Sequence, residues 1–223
     1  MKLLRFGTPG QEKPGILDSQ GKVRDLSALV SDVAGDVLSD EGLQKLRDAD
    51  LSTLPEVAAD VRLGPCVGQV GKFICIGLNY SDHAAETGAE VPPEPVIFNK
   101  WTSAICGPND NVEIPRGSKK TDWEVELGVI MGREARYLET EAEADLHIAG
   151  YLIAHDVSER AQQNVVTRTR PRLIRVKHAM FVKIGVEEEV DRHPAAARRD
   201  TVFSQGPVEI GRTIHMTGVA DVV

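Results

Sequence analysis

Four short, apolar, β-prone runs constrain this chain more than any other feature: "KFICIGLNY", "EPVIFNKW", "WEVELGVIMG" and "YLIAHDVSE". They are rich in β-branched and aromatic residues and too short for ordinary amphipathic helices, so each predicts a strand. The first ends at a glycine turn and the last runs onto Asp156. Helical signals are few. "SDEGLQKLRDAD" opens on Ser39 or Asp40 as cap, and in "LETEAEADLHIAG" Thr140 and Glu143 are spaced as a capping box. Strands therefore dominate, and the pattern reads as α+β, mostly β, rather than alternating α/β.

Residues 1–65 read as a small N-terminal domain. "MKLLRFG" and "PGILDSQGKVRDLSAL" predict short strands with a turn at Ser19-Gln20-Gly21. "RLGPCVGQVG" reads as a hinge, and the strand-rich texture fills 66–163. Beyond that the chain changes character. Residues 161–223 hold 10 Lys and Arg against 7 Asp and Glu, whereas the first 160 hold 16 against 27. "TRTRPRLIRVK" and "PAAARRD" lack the periodicity of the preceding region, so 164–223 is set apart as a divergent tail.

Composition excludes several classes. A net charge of −8 argues against nucleic acid or an anionic membrane as partner. No run approaches the roughly 18–20 apolar residues of a membrane span, and "MKLLRFGTPGQEKPG" is not a secretory signal. Cys66, Cys75 and Cys106 are odd in number and have no C-x-x-C spacing, which speaks against a zinc site or a disulfide framework. The expected compartment is cytoplasmic.

Within "KTDWEVELGVI", Glu124 and Glu126 lie two apart, so on a strand both point to one face. Two such carboxylates can share a hard cation, with Asp156 the best third ligand, or they are the solvated face of an edge strand. In "GLNYSDHAAE", a turn leads into a short helix that puts His83 and Glu86 on one face. A carboxylate beside an imidazole sets its tautomer and raises its basicity, as a general base toward water requires; the alternative is a chance pair on a surface helix. Lys100, at the end of "PVIFN", either neutralises a substrate carboxylate or extends to solvent. His155, pointing away from Asp156, and His147, in the capped helix, are read as structural.

Together "KFICIGLNYSDHAAE", "EPVIFNKWTSAICGPND", "IPRGSKKTDWEVELGVIMG" and "AGYLIAHDVSERAQQ" resemble the fumarylacetoacetate hydrolase superfamily, in its order and near its spacing, over about residues 1–163. The nearest branch is similar to hydrolases of acylpyruvates and 2,4-diketo-3-deoxy sugar acids. The resemblance implies a mixed β-roll with a small N-terminal domain, a homodimer, and a small 2-oxo acid substrate. It implies that Glu124, Glu126 and Asp156 bind Mg²⁺ or Mn²⁺, and that His83 with Glu86 activates water on a lid. It places Gln163, seven after Asp156, and Lys100 at substrate-contacting positions. The implied reaction is hydrolytic C–C cleavage releasing pyruvate; decarboxylation of an oxaloacetate-type acid is the alternative, since it needs no activated water.

After Gln163 the family pattern stops. Neither W-x-x-G-K-x-x-D nor T-G-T-P-x-G-V-G follows, so the C-terminal part of the fold is expected to be atypical or missing. A shifted reading frame accounts for this, as does a non-catalytic relative with a rebuilt C-terminus. Either way, the strands at 72–77 and 123–131 should leave edges or apolar faces uncovered.

Overall fold

The computed structural model describes residues 1–161 and the backbone of 180–182 and 220–222. β1 (Lys2–Phe6), β2 (Lys13–Leu17) and β3 (Val23–Asp25) form an antiparallel meander. The β2–β3 turn falls at the anticipated place. The Asp18 carboxylate accepts the backbone N–H groups of Gln20 and Lys22, each at 2.9 Å. Gly21 supplies the left-handed φ of +75° that closes the turn. α1 (Asp40–Arg47) starts on Ser39, whose hydroxyl accepts the Gly42 N–H at 3.2 Å. Asp40 and Glu41 in its first turn and Lys45 and Arg47 in its last complement the helix dipole, while Leu43 and Leu46 are buried.

The second part of the described chain is built from β4 (Ile74–Gly77), α2 (Ser81–Thr87), β5 (Val96–Asn99), β6 (Ile105–Cys106), β7 (Thr121–Asp122), β8 (Val125–Met131), α3 (Glu141–Asp145), β9 (Ile148–Asp156) and β10 (Ser158–Glu159). Two further strands, β11 (Met180–Val182) and β12 (Ala220–Val222), follow. β9 is the hub, pairing antiparallel with β8, β11 and β12. The main sheet runs β3-β2-β1-β12-β9-β11-β6, with β8 also on β9. β4 and β5 form a separate antiparallel pair, as do β7 and β10.

Leu3 and Leu4 are adjacent on β1 and so face opposite ways, and each feeds its own core. One core gathers Leu3, Ile16, Leu26, Val33, Leu43 and Leu46 with Ala149; the other gathers Leu4, Phe6 and Cys66 with Leu152 and Ala154. The first 65 residues therefore pack directly on β9. Burial pushes the Cys66 thiol up to about 12, the behaviour of a small core residue rather than a reactive one.

α3 is shorter than its sequence signal. Thr140 accepts the Glu143 N–H at 3.2 Å and the Glu143 carboxylate accepts the Glu139 N–H at 2.8 Å, so the cap forms. The helix nonetheless stops at Asp145, because Ile148 is already paired with Met131 on β8. The sheet takes residues that local propensity assigned to the helix.

Along β8 the faces alternate. Glu126, Gly128 and Ile130 turn inward, while Val125 (56% exposed), Leu127 (61%), Val129 and Met131 face out. Gly128 permits close approach to β9, since a Cβ there would lie 2.4 Å from Leu152 Cδ1. On the β4–β5 pair Ile74, Ile76, Ile97 and Phe98 are also exposed. The sequence foretells uncovered apolar faces at 72–77 and 123–131, which are β4 and β8; the exposed residues of β5 lie outside that expectation. Among the described residues no helix is long and apolar enough to cross a membrane.

Candidate active site

The β8–β9 ladder positions three of the expected residues. Glu126 lies opposite Ala154 and Val125 opposite His155. One step further, the Asp156 N–H donates to the Glu124 carbonyl at 2.8 Å. Cross-strand partners project to the same side, so Glu124, Glu126 and Asp156 share the inward face, and His155 goes to the other. The E-x-E pair is thus not the solvated side of the strand. The wet-side positions are taken by the apolar residues instead.

Lys100 comes from a different direction. It follows β5, and its backbone N–H donates to the Phe73 carbonyl at 3.1 Å, one step beyond the β4–β5 pairing. Its side chain is buried, and its ammonium pairs with Asp156 Oδ1 and lies 3.4 Å from the Ser158 hydroxyl. The solvent-reaching alternative does not hold. Burial lowers the Lys100 pKa, and the nearby Glu124 and Glu126 carboxylates oppose that shift. Burial raises the Glu126 carboxyl, Glu124 adds repulsion, and the charges of His83 and Lys100 pull it back.

That last effect places His83 within electrostatic reach of Glu126. His83 and Glu86 lie three apart on α2, on one helix face. α2 is short but firmly ended. Gly88 adopts φ +66° and its N–H reaches the Ala85 carbonyl, while the Ala89 N–H donates to the Ala84 carbonyl at 2.9 Å. This is the Schellman arrangement. Ala84 is buried and anchors the helix, leaving Glu86 exposed. Gln163 lies outside the described residues.

Two contributors escape the sequence reading. Arg160 places Nη2 at 3.3 Å from Glu124 Oε2 and Nε at 2.9 Å from Asp122 Oδ2. Glu159 is buried and accepts from the Ser118 hydroxyl and from Thr121 Oγ1, the latter at 3.1 Å, tying the loop before β8 to the end of β9. The available signal was their place in "HDVSERAQQ", directly behind Asp156, but nothing local says which acid a cation will answer.

The carboxylates share a face without closing on a point. Among the described residues no three His, Cys, Asp or Glu side chains are gathered closely enough to hold a metal ion. The reason is visible in their partners: Arg160 draws Glu124 and Lys100 draws Asp156. The donor set still suits a hard divalent cation. It is all oxygen and half-buried, Glu126 is raised by burial and by its neighbour, and the buried Asp156 Oδ1 takes no hydrogen bond besides its contact with the ammonium.

Comparison with known proteins agrees with this architecture. A hydrolase-named protein of Burkholderia multivorans is 64% identical over 163 residues, which make up 73% of this chain and 57% of that protein. The chain thus spans little more than half the length of the curated relatives it matches. The structure of an HpcE-type protein from Mycobacterium smegmatis superposes with a TM-score of 0.67 at 32% identity, covering 82% of this chain and 64% of that one. Maleylpyruvate hydrolase from Sphingobium sp. SYK-6, solved with manganese(II) and pyruvate, gives 0.60 at 25% identity, covering 82% and 65%. The family described as fumarylacetoacetate (FAA) hydrolase C-terminal matches residues 72–217. With that match over most of its length, and with the mostly β architecture described above, the chain belongs to the fumarylacetoacetate hydrolase family.

Proposed function

We propose that the protein is a divalent-metal-dependent hydrolase that cleaves a C–C bond in an acylpyruvate or 2,4-diketo acid and releases pyruvate, in cytoplasmic small-molecule catabolism. The observation that carries this reading is the shared inward face of Glu124, Glu126 and Asp156, with His83 in electrostatic reach of Glu126. The manganese and pyruvate bound to maleylpyruvate hydrolase support the choice of ion class and product.

In this reading Glu124, Glu126 and Asp156 hold Mg²⁺ or Mn²⁺, which when bound supplies Lewis acidity toward the oxygens of the 2-oxo acid. His83 takes a proton from water, and Glu86 orients the imidazole. The hydroxyl adds to the distal carbonyl carbon. The C–C bond then breaks, its electron pair leaving with the pyruvate fragment, which takes up the proton held by His83. Lys100 and Gln163 bind the substrate carboxylate end. The exposed apolar face of β8 is the natural seat of a second copy, giving a homodimer.

A second reading has its own support: each of two carboxylates is answered by an internal cation. A non-catalytic family member would look the same. A pyruvate-release screen over acylpyruvates and diketo sugar acids, with and without Mg²⁺ or Mn²⁺, separates the two. Metal-dependent release supports the hydrolase. Folded protein with no release on any substrate supports the non-catalytic relative.

A further inference from the structure

The β8–β9 ladder continues past its last pair. The Asp156 N–H meets the Glu124 carbonyl, Ser158 pairs with Asp122 and Glu159 with Thr121, and the Arg160 N–H donates to the Lys120 carbonyl at 2.9 Å. One ribbon therefore runs from Lys120 to Met131, about 36 Å at the usual rise of a strand. Every second side chain from Trp123 onward, through Val125, Leu127, Val129 and Met131, is exposed. The two ends of this apolar stripe carry opposite charge. Residues 113–120 hold three Lys and Arg against one Glu, a balance of +2, whereas 132–147 hold two Arg against five Asp and Glu, a balance of −3. At the basic end Arg116, Lys119 and Lys120 are exposed on a turn closed by the Ser118 N–H on the Pro115 carbonyl at 2.9 Å. The Ser118 hydroxyl ties that turn to the buried Glu159. At the acidic end Glu139, Glu141 and Asp145 are exposed on and beside α3, which leads into the Met131–Ile148 pairing. The arginines there are engaged, Arg133 with Asp40 and Arg136 over the Tyr137 ring.

We propose that two copies of this chain pack β8 on β8 with the strands antiparallel, the basic turn of each copy meeting the α3 end of the other. The proposal rests on the second copy placed at β8 above and adds its orientation. A face-to-face pair of identical ribbons has two symmetric arrangements. With the two-fold axis along the strand, like ends meet, basic on basic and acidic on acidic. With the axis across the strand, each end meets its opposite. Packed sheets keep their strands within about 30° of one another, so ends lie beside ends in either arrangement. The two poles are much further apart than the roughly 8 Å over which physiological salt screens a charge, so each end responds only to what it touches. The apolar stripe drives association without direction, and the charged ends select the antiparallel form and reject the parallel one.

The test measures the dimer dissociation constant of the full chain by sedimentation equilibrium. It compares wild type, Lys119→Glu with Lys120→Glu, Glu139→Lys with Asp145→Lys, and all four changes in one chain. The α3 changes leave the capping pair of Thr140 and Glu143 intact. Each double reversal should weaken the dimer by at least about tenfold at low salt, and the four changes together should return it to within a few fold of wild type. High salt should weaken the wild-type dimer and shrink the differences. A dimer indifferent to both double reversals overturns the orientation alone and leaves the second copy at β8 in place. A wild type that stays monomeric at high micromolar concentration overturns the orientation and the seat together, while pyruvate release from the same samples reports separately on the hydrolase reading. A measurement on wild type covers the case in which the variants do not fold: carbodiimide coupling, read by mass spectrometry in a mixture of ordinary and isotope-labelled chains. It should join Lys119 or Lys120 of one copy to Glu139, Glu141 or Asp145 of the other. A dimer whose links between copies all lie elsewhere, or that gives none, counts against the antiparallel arrangement.

Discussion

The backbone N–H of Asp156 donates to the carbonyl of Glu124 over 2.8 Å, one residue beyond the last pair of the β8–β9 ladder. That bond sets the register at the end of the sheet. A slip of one residue would send Glu124 and Glu126 to the outer face and bring Val125 and Leu127 inward. The acidic face is thus a product of strand register as much as of residue identity.

Removing one carboxylate tests the face directly. Glu126→Gln is close to isosteric, and it removes the charge that burial and the neighbouring Glu124 disfavour. Metal-dependent pyruvate release should fall by at least about a hundredfold, with folding retained, and Mn²⁺ affinity should fall in parallel. The check is a lactate-dehydrogenase-coupled assay beside titration calorimetry. Release that persists with chelator present would contradict the assignment.

His83→Ala should lower hydrolysis by roughly 10²–10⁴-fold, the range for loss of a general base, while leaving Mn²⁺ affinity within a few fold. His83 lies on α2 and is not part of the β8–β9 ladder, so its loss should leave the carboxylates in place. Unchanged turnover would instead point to decarboxylation, which needs no activated water.

The outer face of β8 should govern association. Leu127 is 61% exposed and lies between exposed Val125 and Val129. Leu127→Arg puts a charge in the centre of that stripe and should shift the chain from dimer to monomer in light scattering coupled to size exclusion. Mn²⁺ affinity should not change, because Leu127 and Glu126 face opposite ways. A wild-type chain that is monomeric at high micromolar concentration would rule out this interface.

Acid stability should depend on Asp110. Arg62 grips it through two bonds, Nε to Oδ1 at 2.7 Å and Nη2 to Oδ2 at 2.6 Å, and reaches the Gly7 carbonyl at 2.9 Å. The guanidinium holds the Asp110 carboxyl below its ordinary 3.8. In the window just below 3.8 the unfolded chain therefore binds more protons than the folded one. Stability from this group is complete above that value and is lost as pH falls through the depressed folded value. Asp110→Asn should cost about 1–2 kcal/mol at neutral pH and flatten the acid limb, followed by circular dichroism from pH 7 to 2. An unchanged acid limb would show that Arg62 and Asp110 do not set it.

Much of this protein is determined locally and is legible in the sequence. The period-two pattern of "WEVELGVIMG" places Glu124 and Glu126 on one face, Ser39 and Thr140 start their helices, Gly21 turns β2 into β3, and Asp156 ends its strand. These follow from neighbours a few residues apart, where backbone geometry and side-chain chemistry act without the rest of the chain. What only the tertiary structure decided lies at long range. Which face of β8 turns inward, the arrest of α3 at Asp145, and the pairing of Lys100 with Asp156 and Arg160 with Glu124 all depend on how β8 and β5 are laid against β9 and its end. An ion pair between residues 56 positions apart has no local signature, because attraction between charges selects by distance in space, and that distance is set by how the separate β4–β5 pair packs near the end of β9.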